Sequence, residues 1–425
     1  MGDLLAIGAF KKADGRSVCH GLSPVEEDAS PFQHIAGQGQ VPQLEITNSM
    51  KVLQVIPGLE TGGAERTTIE IAEALVREGH GALVASEGGV MEAELAAAGG
   101  ELIRLPMATK NIVTAISNVS RLKRLIQTEG IDIVHARSRA PAWSALRAAR
   151  AAGVKFVTTY HGTYNAKSGL KRFYNSVMAR GDRVIANSHF IRDHIMIEHG
   201  LSADAITVIP RGVDVDRFQM TAAVKARAKA LAAEWNLPEQ RPVVVLPARL
   251  TRWKGQLIAL QAMARMKADG LQRPVLVLVG GDQGRASYRD ELELLIGRHG
   301  LEQDVWIVGH CADMPAAFGL ADFALNPSTD PEAFGRTAAE ASAAGLPVIV
   351  ADHGGAREVV EEGVTGWRVA PGDAVALAKT LQVAMGLDIA ARQALGEAGR
   401  QRIMNRFTVT SLQNSTLRVY NELLE

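Results

Sequence analysis

A chain of 425 residues is longer than one ordinary hydrophobic core supports and fits two domains of conventional size. Apolar residues make up 47% and charged residues 22%, a globular balance, and the formal net charge of zero excludes the basic footprint expected of a nucleic-acid-binding protein. The charge is uneven along the chain: residues 50–211 are about +5, 212–425 about −2 and 1–49 about −3, so the N-terminal half leans toward anionic surfaces.

Residues 1–49 mix Gly, Pro, Gln, Ser and acids without a period of 2 or 3.6, and read as a disordered extension. Their start, MGDLLAIGAFKKADGR, lacks the basic segment and long apolar run of a signal peptide. Cys19 and Cys311 give neither metal spacing nor a disulfide framework, and no apolar run approaches the roughly 18–20 residues of a membrane span. A cytoplasmic protein is expected. Met50 opens MKVLQVIP and is a candidate start of the folded chain.

From there short apolar runs alternate with helical patterns. VLQVIP (52–57) precedes a Gly-rich turn and the helix-like AERTTIEIAEALVREGH. ALVAS (82–86), LIRLP (102–106), a helix near 115–129, IDIVHA (131–136), an Ala-rich helix to about 152, KFVTTYHG (155–162), RVIANS (183–188) and ITVIP (206–210) follow. Runs without polar alternation, separated by helices, predict parallel strands covered on both faces. The pattern restarts after IPRGVDVDRF with VVVLPARL (243–250), PVLVLVGG (274–281), VWIVGH (305–310), FALNPS (323–328), PVIVAD (347–352) and GWRVAP (366–371), each but the last followed by a helical or loop segment. TVTSLQNSTLRVYNELLE reads as a final amphipathic helix. The expected architecture is α/β: two Rossmann-like, doubly wound parallel-sheet domains facing across a cleft, with ligands outside the carboxyl ends of the strands.

The loops after the strands carry the chemistry. Arg249 and Lys254, in PARLTRWKG, suit a diphosphate whose leaving charge must be neutralised, or are solvated loop cations. Glu332 and Glu340, in PEAFGRTAAE, bracket a helix start at Gly335. Eight helical residues rotate about 80° and rise about 12 Å, so the two acids are no proximate dyad and would reach different portions of one elongated ligand. Amides near Phe334 to Thr337 can bind an anion; a capping acid plus a solvated one is the other reading. Gly62 and Gly63, between the first strand and helix, let backbone N–H groups approach a phosphate, though a tight turn needs glycine anyway. His161 ends a strand and can serve a sugar hydroxyl or a structural cap; His135 is read as structural. The basic stretch 167–183, with Lys171, Arg172, Phe173 and Tyr174, reads as a solvated face, with anionic lipid headgroups as the alternative.

Taken together, TGGAER, TYHG, ANSHF, IPRGVD, ARLTRWKG, the E-x7-E element EAFGRTAAE with AAGLPVIV, and GGAREVV…GVTGW make the chain resemble glycosyltransferase family 4, over about residues 50–425. The resemblance implies the GT-B fold: an N-terminal domain of 50–217 joined by a returning helix at about 405–425, and a nucleotide-sugar domain of 218–404. It implies that Arg249 and Lys254 bind the donor diphosphate, Glu340 the ribose, and Glu332 with Ala333, Phe334 and Gly335 the transferred sugar. Gly62 and Gly63 approach the diphosphate or sugar, and His161 contacts sugar hydroxyls. It further implies transfer with retention from a UDP- or GDP-sugar, without metal or other cofactor, to a glycan or lipid-linked acceptor such as lipopolysaccharide, with peripheral contact at the inner membrane. Two departures stand out: Arg211 beside the interdomain linker, read as a surface cation with an acceptor contact as the alternative, and Ala248 in ARL. Competing readings are a sugar-nucleotide epimerase on the same fold, a dinucleotide oxidoreductase, for which neither half supplies a GxGxxG with its acid, and a binding module without turnover.

Overall fold

A computed structural model describes residues 49–164, 168–284 and 286–425. The extension read as disordered, up to residue 48, and Lys167 of the basic stretch lie outside the described residues.

The first array forms β1 (Lys51–Val55), β2 (Gly81–Ser86), β3 (Glu101–Arg104), β4 (Ile133–Ala136), β5 (Lys155–Tyr160), β6 (Arg183–Ala186) and β7 (Ile206–Val208). These pair in parallel in the order β3-β2-β1-β4-β5-β6-β7. The second forms β8 (Val243–Pro247), β9 (Val275–Val279), β10 (Val305–Gly309), β11 (Phe323–Asn326), β12 (Val348–Ala351) and β13 (Gly366–Val369), in the order β10-β9-β8-β11-β12-β13. β8 and β9, all Val, Leu and Pro, are buried at every position because helices cover both faces. These are the two parallel-sheet α/β arrays expected from the alternating pattern.

In each sheet the strand order reverses once, between β1 and β4 and between β8 and β11. At such a point the crossover helices leave to opposite faces, and the loops diverge to open a crevice at the strand carboxyl ends. Gly62, Gly63 and Arg137 follow β1 and β4; Arg249, Lys254 and Glu332 follow β8 and β11. The topology therefore places the candidate residues at both reversals.

The outgoing and returning segments run side by side. Val213 N donates to Phe407 O at 2.7 Å, and Val409 N to Val213 O at 3.3 Å. The last helix, Val409–Leu424, then packs on the first, Gly63–Arg77. It buries Leu412, Leu417, Val419 and Tyr420, and Gln413 Nε2 donates to Glu70 O at 2.8 Å.

Candidate active site

The reversal between β8 and β11 gathers most of the predicted donor residues. Arg249 Nη1 donates to Gln283 Oε1 at 3.1 Å and borders an open groove of about 600 Å³ shared with Thr251, Trp253 and Tyr288. Lys254 is not the free loop cation its sequence context allows. Its Nζ lies 2.5 Å from Glu332 Oε1, the two side chains 14% and 13% exposed, and 4.2 Å from the centre of the Trp253 ring. Ser328 Oγ donates to the same carboxylate oxygen at 2.8 Å. A half-buried pair held from three sides fixes both charges in one place.

The loop behind Glu332 is clamped by backbone. Gly355 N donates to Glu332 O at 2.7 Å, and Ser188 Oγ, from the first domain, donates to Ala333 O at 2.6 Å. Phe334 is buried against Phe407, their rings 5.6 Å apart. Gly335 adopts φ +89°, and a Cβ there would stand 2.9 Å from Ala356 Cα, so conformation and space both demand glycine. No side chain caps the helix Arg336–Ala343 that follows, leaving its leading amides to face an anion.

Glu340 has different surroundings. Arg336 Nε donates to its Oε1 at 3.0 Å, and Arg336 Nη2 lies 3.6 Å from Glu70 Oε1 on the first helix of the other domain. Glu340 borders a cavity of about 370 Å³ that also touches Arg66, Glu73, Asp214 and Thr410. Glu332, Arg249 and Lys254 do not border that cavity.

Across the cleft, Gly62 is the extended N-cap of the first helix. A Cβ on Gly63 would fall 1.5 Å from Arg211 Nη1: the notch opened by the glycine is filled by a guanidinium. Arg211 is therefore no surface cation. It is partly buried, and its Nη2 lies 3.3 Å from His161 Nδ1. Because a guanidinium only donates, Nδ1 accepts and the ring proton sits on Nε2. That nitrogen is buried without a partner, a hydrogen-bond donor aimed at nothing in the protein. Burial, then the Arg211 charge, holds His161 well below the usual imidazole value of 6.5, so it stays neutral.

His135 is fully buried between Tyr420 Oη at 2.6 Å and Thr159 Oγ1 at 2.7 Å, a structural role that ties the last helix to β4 and β5. Three charged groups escaped the sequence reading: Glu70 and Arg336, which border the same cavity as Glu340, and Arg137, 2% exposed. For Arg137 a signal existed, a permanent cation one residue past β4 at the strand-order reversal. Glu70 and Arg336 meet only through the domain interface.

In the basic stretch, the helix Gly169–Asn175 leaves Leu170 81%, Phe173 57% and Tyr174 43% exposed beside Lys171 and Arg172. Phe173 stacks on Trp143 at 5.1 Å. Among the described residues no three His, Cys, Asp or Glu side chains group as a metal site, and no single helix is long and apolar enough to cross a membrane.

Comparison with known proteins matches residues 61–217 to the sequence model of Glycosyltransferase Family 4 and residues 228–402 to that of Glycosyl transferases group 1. A GDP-mannose-dependent alpha-(1-6)-phosphatidylinositol monomannoside mannosyltransferase of Mycobacterium tuberculosis is 33% identical over 296 residues, 66% of this chain and 73% of the relative. A D-inositol 3-phosphate glycosyltransferase of Xylanimonas cellulosilytica is 31% identical over 57% of this chain, which spans just over half, 58%, of that relative's length. A glycosyltransferase structure from Rickettsia africae superposes with a TM-score of 0.82 at 32% identity, over 89% of this chain and 99% of its own. HepE of Anabaena, solved with UDP and glucose, gives a TM-score of 0.75 at 26% identity, over 88% and 99%. Three of the four are named as transferases, and none supports the epimerase reading.

Proposed function

The chain belongs to glycosyltransferase family 4 and is a glycosyltransferase, and on that premise we propose that it moves a hexose-type sugar, with retention, from a UDP- or GDP-linked donor to an acceptor of cell-surface glycan assembly. The observation that carries this reading is the Lys254–Glu332 pair beside Arg249, at the uncapped start of the helix Arg336–Ala343. Two cations and a row of helix amides meet a diphosphate there, and a fixed carboxylate meets a sugar hydroxyl.

In this reading Arg249, Lys254 and the amides from Phe334 to Thr337 hold the diphosphate, and Glu340 grips the ribose. Glu332 with Ala333, and His161 through its Nε2–H, orient the hexose. The bond between the anomeric carbon and the phosphate oxygen breaks, its electron pair leaving with the diphosphate. The acceptor oxygen bonds to the same face of the carbon, and its proton passes to the departing phosphate oxygen. The cations stabilise charge that exists only as the bond loosens, so they lower the barrier more than they strengthen ground-state binding. Arg and Lys supply here the neutralisation that a divalent ion supplies in other transferases, so no metal is required.

The donor class draws support from the Mycobacterium relative, named as GDP-mannose-dependent, and from the Anabaena structure with UDP and glucose. The acceptor is read as a glycan or lipid-linked molecule, lipopolysaccharide among them, met at the cytoplasmic face of the inner membrane. Support comes from the positive balance of residues 50–211 and from Leu170, Phe173 and Tyr174 standing exposed beside two cations. A thermal-shift screen of UDP- and GDP-hexoses tests the donor: a ligand at about 100 times its dissociation constant adds about 2.7 kcal/mol. Sugar transfer to a soluble metabolite and to no lipid-linked acceptor refutes the acceptor reading.

A further inference from the structure

Four arginines, Arg336, Arg66, Arg211 and Arg137, act on the charge of one carboxylate, Glu70, where the first helix meets the second domain. Arg336 shares its charge between Glu340 and Glu70. Arg137 and Arg211 do not share theirs. Arg137 is 2% exposed, its Nη1 has only 3.4 Å approaches to Thr159 Oγ1 and His135 Nε2, and its Nε and Nη2 have no partner. Arg211 Nε is likewise buried and unpartnered, and its one hydrogen bond runs to the neutral His161.

For Arg211 the surrounding charges oppose one another, Arg336 and Arg137 against Glu70 and Glu65. Burial lowers the Arg211 pKa to about 10, and the next largest influence is repulsion from Arg336, ahead of attraction to Glu70. Glu70 is itself held above its ordinary value by burial, with Oε2 unpartnered. Guanidinium groups left in this state are costly unless an anion completes them, and their planar fork matches phosphoryl oxygens. The Gly63 notch sets the Arg211 guanidinium against the segment that follows β1, beside the β1–β4 reversal.

We propose that Arg211, backed by Arg137, forms a phosphoryl-binding subsite on the N-terminal side of the cleft, beside the Nε2–H of His161. It rests on the transferase reading above and adds a second anion site opposite Arg249 and Lys254. The phosphoryl group is either the donor's β-phosphate, gripped from both domains, or a phosphate ester on the acceptor. Arg211 thereby also fixes the tautomer with which His161 donates.

The test uses the full chain as wild type, Arg211→Asn, Arg211→Lys and Arg249→Ala. Calorimetry measures UDP and GDP binding, then inorganic phosphate binding to protein saturated with either nucleotide. If Arg211→Asn weakens the nucleotides by about tenfold or more, the donor phosphate is the ligand. If it leaves them within about twofold and removes phosphate binding to the loaded protein, the acceptor phosphate is the ligand. Arg211→Lys retains charge without the fork and is expected in between. Because Arg211 Nε is buried without a partner in the free protein, Arg211→Asn is expected to melt at or above the wild-type temperature. Unchanged nucleotide and phosphate binding overturns the proposal, and so does an Arg211→Asn chain that fails to fold. A wild type that binds neither nucleotide, or an Arg249→Ala variant that binds them normally, overturns the donor site instead, and leaves phosphate binding through Arg211 to be judged on its own.

Discussion

Lowering the pH from about 7.5 to about 5.5 destabilises the N-terminal domain through two histidines. His135 is fully buried between two hydroxyls, and burial, then Arg137, holds it well below 6.5. Burial, then Arg211, does the same to His161. A histidine with a depressed folded pKa binds fewer protons folded than unfolded once the pH passes below 6.5, so its stabilisation is present above that value and is lost as the pH falls. The loss is about 1.4 kcal/mol per pH unit per residue until the folded pKa is reached. Integrated over this range the two residues remove about 3 kcal/mol. Hydrogen exchange of the β4 and β5 amides, converted to opening free energies, measures it. His135→Gln keeps partners for Tyr420 and Thr159 but cannot titrate, so its loss is expected to be smaller by about 1 kcal/mol. Carboxylates titrate alike in both chains and cancel. Parallel pH curves for the two proteins would refute neutral burial of His135.

Gly335→Ala places a Cβ 2.9 Å from Ala356 Cα at φ +89°, which costs about 2–5 kcal/mol from left-handed strain and overpacking together. Calorimetry with UDP and GDP is expected to show affinity down tenfold or more, and wild-type affinity would contradict a fixed helix start. Glu358 caps the helix His189–His199 from across the interface, accepting from His189 N at 3.0 Å and Phe190 N at 2.8 Å. Glu358→Ala is expected to cost about 1–2 kcal/mol, read as faster amide exchange at 189–192, with the β8 and β9 amides unchanged. Equal exchange at 189–192 would remove this contact from the interface.

Both sheets were readable because their strands are uninterrupted apolar runs; ALVAS became β2 and VVVLPARL ended in β8 with little displacement. The helices Ala222–Glu234 and Ile389–Arg406 were not. The first buries only Val224 and Ala228, and the second approaches its neighbours through Gly396 and Gly399, so neither shows a wide apolar stripe. At the site, spacing revealed the acids and cations of the second domain but not their partners. That Lys254 rests on Glu332, and that Arg211 turns inward to His161, depends on loops 78 and 50 residues apart closing in space. Local composition holds no trace of such closure.

The account stands on Arg249 and Lys254 gripping a donor diphosphate, and calorimetric titration of UDP and GDP into the wild type and the Arg249→Ala, Lys254→Ala double variant tests it most directly. Two charge-assisted contacts at about 1.5–3 kcal/mol each predict at least a hundredfold weaker binding, with the fold retained by circular dichroism. A folded double variant that binds either nucleotide as tightly as the wild type would contradict the assignment.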